Sequence, residues 1–136
     1  MAYEIQSGQG VDVARFGEGR EELRRRLGEH ASFRRTPASS PVDHYVEKGL
    51  QLSFDKNDAL EFIELTPLAD VRYEGISLLG RPYGEVLAGL RERGLQGVED
   101  GEGIEFPELG FALFVSDPDD LEEDVQGVSV FPEGYY

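Results

Sequence analysis

Apolar and polar residues alternate in the middle of the chain, and the alternation predicts a β-hairpin. Leu50, Leu52 and Phe54 alternate with polar residues in the first arm, and residues 60–65 form the second. The Asp-Lys-Asn-Asp segment at 55–58 has the chemistry of a turn. Period-two alternation on both sides of a turn is typical of an antiparallel pair with one buried face. We therefore expect a half-buried hairpin over residues 50–65.

Two short amphipathic helices are predicted, one in each half of the chain. The first runs from Arg20 to Leu27 and ends at Gly28, a residue that suits a helix C terminus. The second begins at Pro82, because proline is favoured in the first helical turn. The apolar stripe of the second helix consists of Tyr83, Val86, Leu87 and Leu90.

The two helical segments match each other at an offset of 63 residues. Phe16-Gly17 falls on Leu79-Gly80, and Glu22-Leu23 falls on Glu85-Val86. Further strands are predicted at 104–106, 109–115 and 125–131. The pattern predicts an α+β fold in a single domain, residues 1–136, with pseudo-repeats at about 11–68 and 73–136. Each repeat would be a short helix plus an antiparallel β-meander.

Two segments are predicted to be loops. Residues 30–42 contain the Thr-Pro-Ala-Ser-Ser-Pro run, and two prolines and two serines in six residues are typical of a loop. Residues 94–103 are polar and glycine-rich, and they show no alternation.

Composition limits the class of protein. A chain of 136 residues is long enough for one domain with its own core. It has no cysteine, which excludes disulfides, thiolate catalysis and cysteine-ligated metals. No apolar run approaches 18 residues and the first residues lack the blocks of a signal peptide, so we expect a cytoplasmic protein. Eleven arginines against two lysines indicate a bacterial source.

Negative charge is concentrated in the last third of the chain. The net charge is −15, and residues 94–136 hold 12 acidic residues with no lysine or arginine. A field of this sign repels nucleic acids and anionic membranes and attracts a basic partner. We therefore expect a basic protein as the partner, with no nucleic acid and no membrane. Solubility alone is the alternative explanation of the charge.

The sequence contains no known catalytic or metal-binding motif. His30 and His44 lie outside a His-Glu-x-x-His arrangement, and no Gly-x-Ser-x-Gly segment occurs. The arginines of the first helix are Arg20, Arg24, Arg25 and Arg26. Such a cluster can bind phosphate, but a solvated helix face paired with Glu21 and Glu22 is the favoured interpretation. We predict no catalytic residue, no metal and no cofactor.

The repeated segments also carry a family resemblance. A glycine turn precedes a short helix at Phe16-Gly17 with Glu22-Leu23, and again at Leu79-Gly80 with Glu85-Val86. With the strands that follow, the pattern resembles the tandem repeat of the beta-lactamase inhibitor protein family. It is also similar to small acidic bacterial immunity-type proteins of unknown function. The resemblance implies a concave sheet that grips a partner protein. The absence of cysteine argues against a secreted inhibitor.

Binding of a partner protein without turnover is the function that these observations favour. The module would be immunity- or inhibitor-like and would occlude the partner's surface. A small-molecule-binding protein or enzyme with a pocket between sheet and helix is the alternative, and a structural subunit or homodimer is a third. The candidate partner-binding residues are Glu99, Asp100 and Glu102 on one loop and Asp117, Asp119, Asp120, Glu122 and Glu123 on a hairpin tip.

Two tyrosines end the chain, directly after an apolar strand. Side chains of this size pack onto a neighbouring surface when one is available. We therefore expect Tyr135 or Tyr136 to pack onto the domain or onto a second copy.

Overall fold

Strands make up most of the regular structure. The computed structural model describes residues 2–34, 36–38, 42–132 and 135. Within these ranges the chain forms 13 strands and two α-helices, with a short 3-10 helix at Val46–Lys48. The strands are β1 Ala2–Gln6, β2 Gly10–Val11, β3 Ala14–Arg15, β4 Ala31–Phe33, β5 Val42–Tyr45, β6 Leu50–Phe54, β7 Leu60–Leu65, β8 Asp70–Tyr73, β9 Ile76–Ser77, β10 Val98–Asp100, β11 Gly103–Phe106, β12 Phe111–Phe114 and β13 Gly127–Val130. The helices are α1 Arg20–Leu27 and α2 Tyr83–Glu92.

The predicted fold class is wrong. The sequence pattern predicted an α+β fold of two helix-plus-meander repeats, whereas the chain is mostly β and its two helices have only eight and ten residues. Strands from both halves meet in each of two sheets, so the halves are not separate units. The residues that match at an offset of 63 indicate only a local turn followed by a short helix. They carry no information about which strands pair.

The larger sheet has eight strands, in the order β10-β11-β12-β13-β7-β6-β5-β4. Neighbouring strands are antiparallel throughout. The predicted hairpin over residues 50–65 is confirmed as β6 and β7, with Leu52 opposite Ile63. The last strand, β13, returns to the middle of the sheet, where Val128 pairs with Leu65.

The smaller sheet has five strands, in the order β3-β2-β1-β8-β9. Its centre is the parallel pair of β1 and β8, in which Tyr3 lies opposite Val71. The other pairs in this sheet are antiparallel. A parallel pair requires a long crossover between its strands. Here the crossover is formed by residues 7–69, which include α1 and the hairpin of the larger sheet.

One hydrophobic core lies between the two sheets and the two helices. It takes Tyr3 and Val71 from the smaller sheet and Leu52 and Ile63 from the larger one. The rings of Tyr73 and Phe111 bridge the sheets at 4.9 Å between centroids. Burial of this continuous apolar surface is the main stabilising term for the fold.

Both helices begin and end close to the predicted residues. Leu23 and Leu27 bury one face of α1, and Gly28 ends it with a positive φ of 87°. Pro82 precedes the first residue of α2 as its N-cap. The predicted apolar stripe of α2 is buried. Neither of these helices has the length or the apolar run that crossing a bilayer requires.

Two strands occur in the segments that were predicted to be loops. β4 lies within residues 30–42, and β10 lies within residues 94–103. They form the two edges of the larger sheet, and all their residues are exposed. A strand without a buried face shows no alternation of apolar and polar residues, so the sequence pattern missed both.

Candidate functional site

The larger sheet has one covered face and one open face. Leu52 and Ile63 lie on the covered face, in the core that the sheet shares with the helices and the smaller sheet. All buried apolar residues of α1, α2 and the smaller sheet belong to that same core. The opposite face of the larger sheet is therefore left uncovered by these elements.

A band of polar and small side chains crosses the open face. Residues paired across antiparallel strands share one face of the sheet, so the register identifies the members of the band. In order across six strands they are His44, Gln51, Glu64, Ser129, Ala112 and Glu105. All six are half-exposed. The band is therefore accessible from solvent.

Exposed aromatic side chains lie on both sides of the band. Phe114 of β12 is 45% exposed and Phe33 of β4 is 38% exposed. The Phe33 ring meets the His44 ring edge-on, with 6.5 Å between centroids. Tyr135 is 40% exposed. Large exposed aromatics beside polar groups are typical of protein-binding surfaces.

Tyr135 fixes the end of the chain on the open face. Its ring lies 5.3 Å from the ring of Phe62 and 6.2 Å from that of Phe131. The prediction that a terminal tyrosine packs onto the domain is therefore confirmed for Tyr135. Tyr136 lies outside the described residues.

A groove of about 370 Å³ lies over one part of the open face. Its small residues include Ala112, Gly127 and Ser129. Its carboxylates come from Glu64, Asp100, Glu102 and Glu105. No lysine or arginine is among the described residues that line it. The groove is therefore a strongly negative surface.

The first predicted acidic segment borders this groove. Glu99, Asp100 and Glu102 lie on the β10–β11 hairpin, where the Asp100 carboxylate accepts a 2.7 Å hydrogen bond from the Glu102 N–H. Asp100 and Glu102 line the groove. Glu99 lies 3.6 Å from the Arg91 guanidinium of α2 instead.

The second predicted acidic segment lies in the loop of the hairpin formed by β12 and β13, as predicted, but this loop is docked on a helix. Residues 116–124 run across the N terminus of α2, where the Leu121 and Glu123 carbonyls accept hydrogen bonds of 2.8 Å from the Gly84 and Tyr83 N–H groups. These contacts satisfy helix N–H groups that lack partners within the helix. The segment is therefore attached to α2 by its backbone.

Several carboxylates of this segment hold its own backbone. Asp117 accepts a hydrogen bond from the Asp119 N–H, and Asp120 accepts one from the Glu122 N–H. Glu123 accepts hydrogen bonds from the Ser116 hydroxyl and N–H, which lower the pKa of the Glu123 carboxyl. Glu123 is therefore a structural residue as well as a predicted binding residue.

The two acidic segments are adjacent. The Val115 N–H donates a 2.9 Å hydrogen bond to the Glu102 carbonyl, so the β10–β11 hairpin lies beside the start of residues 116–124. Asp117, Asp119, Asp120 and Glu122 are exposed. Their charges extend the negative surface beyond the groove.

Phe114 is a residue of this surface that was not among the predicted binding residues. In the predicted strand 109–115, Phe111, Leu113 and Val115 alternate, and all three are buried. The same alternation places Phe114 on the opposite face. The signal was therefore present, but it was used only to find the core.

The arginines of α1 are not simply a solvated face. Arg20 is buried, and both Arg20 and Arg24 donate hydrogen bonds to the fully buried carboxylate of Asp43. Burial raises the pKa of Asp43, but hydrogen bonds from Arg24 and Ser32 and the charge of Arg20 bring it below its ordinary value. Arg25 and Arg26 fit the predicted solvated face, paired with Glu22 and Glu18, and Arg24 also forms the predicted pair with Glu21.

Both histidines line one cavity of about 500 Å³ beside the end of α1. His30 packs against the ring of Tyr45, at 5.5 Å between centroids. Burial raises the pKa of the Tyr45 hydroxyl to about 12. No group of three or more metal-ligating side chains occurs in the part of the chain that the structure describes.

A cavity of about 410 Å³ lies between α2 and β11. Its apolar wall includes Leu87, Leu90 and Ile104, and Arg91 and Glu99 also line it. This cavity corresponds to the predicted alternative site between helix and sheet.

Comparison with known proteins gives a likeness in fold alone. No protein-family model and no curated protein sequence matches the chain. Among solved structures, the fold is similar to that of the uncharacterized protein YfeY from Escherichia coli, with a TM-score of 0.57 and 10% identity. The match covers 96% of this chain and 99% of that one. The resemblance to the beta-lactamase inhibitor family stays a prediction.

Proposed function

We propose that this chain is a non-enzymatic protein-binding module that occludes a surface of a basic partner, as immunity and inhibitor proteins do. The observation that carries the proposal is the open face of the larger sheet. There a polar band with two glutamates lies between exposed Phe114 on one side and exposed Phe33 and Tyr135 on the other.

The dimensions of the open face support this proposal. The band crosses six strands, and a strand spacing of about 4.8 Å makes it about 24 Å wide. A surface of this width is comparable with one side of a standard interface, which buries about 800 Å² per partner. The exposed aromatic side chains would make apolar contacts with the partner. The carboxylates would determine the specificity for a basic partner.

The charge distribution supports a basic partner. The groove on the open face holds four carboxylates, and exposed Asp117, Asp119, Asp120 and Glu122 lie next to its hairpin. Like charges held together in this way repel one another unless a cationic surface neutralises them. The field would mainly accelerate encounter, so association should slow as salt is added.

The test is affinity capture from the source cell by matched variants. Wild-type protein should retain a protein with a basic surface, and the combined variant Glu64→Gln, Glu105→Gln, Phe114→Ser should lose it. The control is Glu29→Gln, Glu47→Gln, Leu68→Ser, which removes two carboxylates and one exposed apolar side chain outside the groove. Equal capture by all three proteins, or capture of acidic proteins only, would contradict the proposal.

A second candidate function rests on the cavity between α2 and β11. Its apolar wall and its Arg91–Glu99 pair suit a small amphipathic ligand. In that case Leu87→Gln should abolish ligand binding, while the open-face variant should retain it. The two functions are therefore distinguished by one pair of variants.

A further inference from the structure

Backbone groups on the outer side of β10 have no partner. β10 is an edge of the larger sheet, and in its register with β11 Val98 lies opposite Glu105 and Asp100 opposite Gly103. Asp100 and Gly103 flank a two-residue turn and exchange backbone hydrogen bonds, so the alternation of an antiparallel ladder makes Val98 face β11 as well. The Glu99 N–H and C=O therefore point away from the sheet, and no backbone group of the described residues bonds to them.

The outer side of β10 is accessible to an incoming strand. All three of its residues are exposed, and the Glu99 side chain is 60% exposed. Gly97 and Gly101, two residues to either side of Glu99, carry no side chains that would obstruct the approach. β10 also contains neither proline nor lysine, the residues with which proteins commonly prevent pairing at an edge. Such an edge can accept an extended chain through backbone hydrogen bonds.

The charge around this edge determines which chain can occupy it. The β10–β11 hairpin carries Glu99, Asp100 and Glu102, and among the described residues only Glu99 has an ion-pair partner, Arg91 at 3.6 Å. Two copies of β10 paired edge to edge would place their carboxylates beside one another, which disfavours self-pairing. Opposite charges across a strand pair are stabilising, so a basic segment is the complementary occupant.

We propose that β10 accepts an extended basic segment of a partner protein as a ninth strand of the larger sheet. This strand addition rests on the proposed function, since it specifies how the basic partner is held. A residue opposite Glu99 would exchange two backbone hydrogen bonds with it. On the open face, Val98 lies beside Glu105 at the end of the polar band, so the added strand would extend that face. Its basic side chains would lie next to Asp100.

A labelled basic peptide tests the edge without a captured partner. The probe is fluorescein-labelled Arg-Val-Arg-Val-Arg-Val amide, titrated at constant ionic strength and followed by fluorescence anisotropy. Wild-type protein should bind it saturably, and the matched peptide with glutamate at each arginine position should not bind. NMR measurement of amide exchange with water should show protection of the Glu99 N–H by the basic peptide, and no change in β4 at the opposite edge. Binding without protection of Glu99 would overturn the proposal.

Two variants at one position separate the backbone contact from the charge. Glu99→Gln and Glu99→Pro remove the same carboxylate, but only proline removes the outward N–H. Proline is tolerated on an edge strand where the N–H faces away from the sheet. Glu99→Gln should weaken peptide binding about threefold, as expected for one exposed charge. Glu99→Pro should weaken it about tenfold further, through loss of the hydrogen bond. Equal affinities of the two variants would contradict strand addition, and the exchange measurement on wild type decides the question if Glu99→Pro does not fold.

The same variants distinguish strand addition from the proposed function. In affinity capture, Glu99→Gln should retain the basic partner and Glu99→Pro should lose it. Retention by Glu99→Pro together with loss by the open-face variant would overturn strand addition and leave the proposed function standing. Capture of no basic protein by wild type would contradict the proposed function, whereas the peptide measurements would still decide whether β10 accepts a basic strand.

Discussion

At the scale of single residues, Asp43 is the polar group on which most other contacts depend. It is fully buried on β5 and joins α1 to the larger sheet through Arg20 and Arg24, with Ser32 of β4 as a third donor. A buried carboxylate is tolerated only when charges and hydrogen bonds compensate it. Here the compensation also fixes the position of α1.

Replacing Asp43 tests this role. Asp43→Asn should lower the free energy of unfolding by about 3–5 kcal/mol, because two guanidinium groups would lose their buried counter-ion. Urea denaturation measures the change. The control Asp58→Asn removes a carboxylate that is 63% exposed, and should cost less than about 1 kcal/mol. If the free energy of unfolding fell by a similar amount in the two variants, burial of the Asp43 carboxylate would not explain its effect on stability.

The lowered pKa of Asp43 predicts how stability depends on pH. The unfolded chain binds a proton at Asp43 more readily than the folded chain, so the contribution of Asp43 is complete above its unfolded pKa of about 3.9. That contribution is lost as pH falls through the lower folded value. The stability difference between wild type and Asp43→Asn should therefore be constant above about pH 5 and shrink below about pH 4. Denaturation at several pH values measures it, and a constant difference down to pH 2 would be contrary evidence.

At the scale of elements, α2 and residues 116–124 form one unit. The carbonyls of Leu121 and Glu123 accept hydrogen bonds from the first N–H groups of α2, and Val125 donates one to the Arg81 carbonyl. A helix of ten residues is marginal by itself in water. Its buried stripe and this backbone contact together explain why it forms with two glycines.

The two glycines of α2 give a matched pair of substitutions. A Cβ atom at Gly89 would lie 3.6 Å from Ile76, an ordinary contact, so Gly89→Ala should raise the free energy of unfolding by about 1 kcal/mol through helix propensity. At Gly84 the Cβ would lie 3.1 Å from the Leu121 Cβ and 3.3 Å from its carbonyl oxygen. Gly84→Ala should therefore raise the free energy of unfolding by less than Gly89→Ala does, or lower it. Thermal unfolding compares them, and a larger gain at Gly84 would show that the contact with Leu121 is loose.

The C-terminal segment is a second element whose contribution can be measured. Tyr135 packs on Phe62 and Phe131. Deletion of residues 132–136 should therefore lower the Tm by about 3–6 °C. An unchanged Tm would mean that these ring contacts contribute nothing to stability.

The sequence predicted the central hairpin and both helices, but it missed several strands. The alternation of Leu50, Leu52 and Phe54 located the hairpin, and Gly28 located the end of α1. β1 alternates as well, with Tyr3 and Ile5 buried, but no strand was predicted there. β4 and β10 have no buried face, so their sequences show no alternation of apolar and polar residues that would predict a strand. Pairing between distant segments, such as β1 with β8, also leaves no local signal, and the predicted fold class failed for that reason.

The candidate site was predicted in composition but not in geometry. Charge counts identified the acidic last third of the chain. They did not show that Glu64, from the first half, lies in the same groove as Glu105 across β12 and β13. They also did not show that Glu123 and Asp120 hold their own loop. Such relations come from strand register and backbone contacts, which a charge count does not contain.

At the scale of the whole molecule, the two faces of the larger sheet have different roles. One face packs in the hydrophobic core that it shares with both helices and the smaller sheet. The other carries carboxylates and exposed aromatics that contribute little to that core. A surface of this kind costs stability through self-repulsion, and binding of a cationic partner would relieve that cost. We propose that a basic partner protein covers this open face.

Carboxyl footprinting of the complex with the captured partner would show which face of the sheet is covered. Each carboxylate is labelled in the free protein and in the complex, and the rates are compared residue by residue. Labelling of Glu64, Asp100, Glu102 and Glu105 should slow in the complex, while that of Glu29 and Glu47 should not change. Protection of Glu29 and Glu47 with unaltered labelling of the groove would contradict the claim.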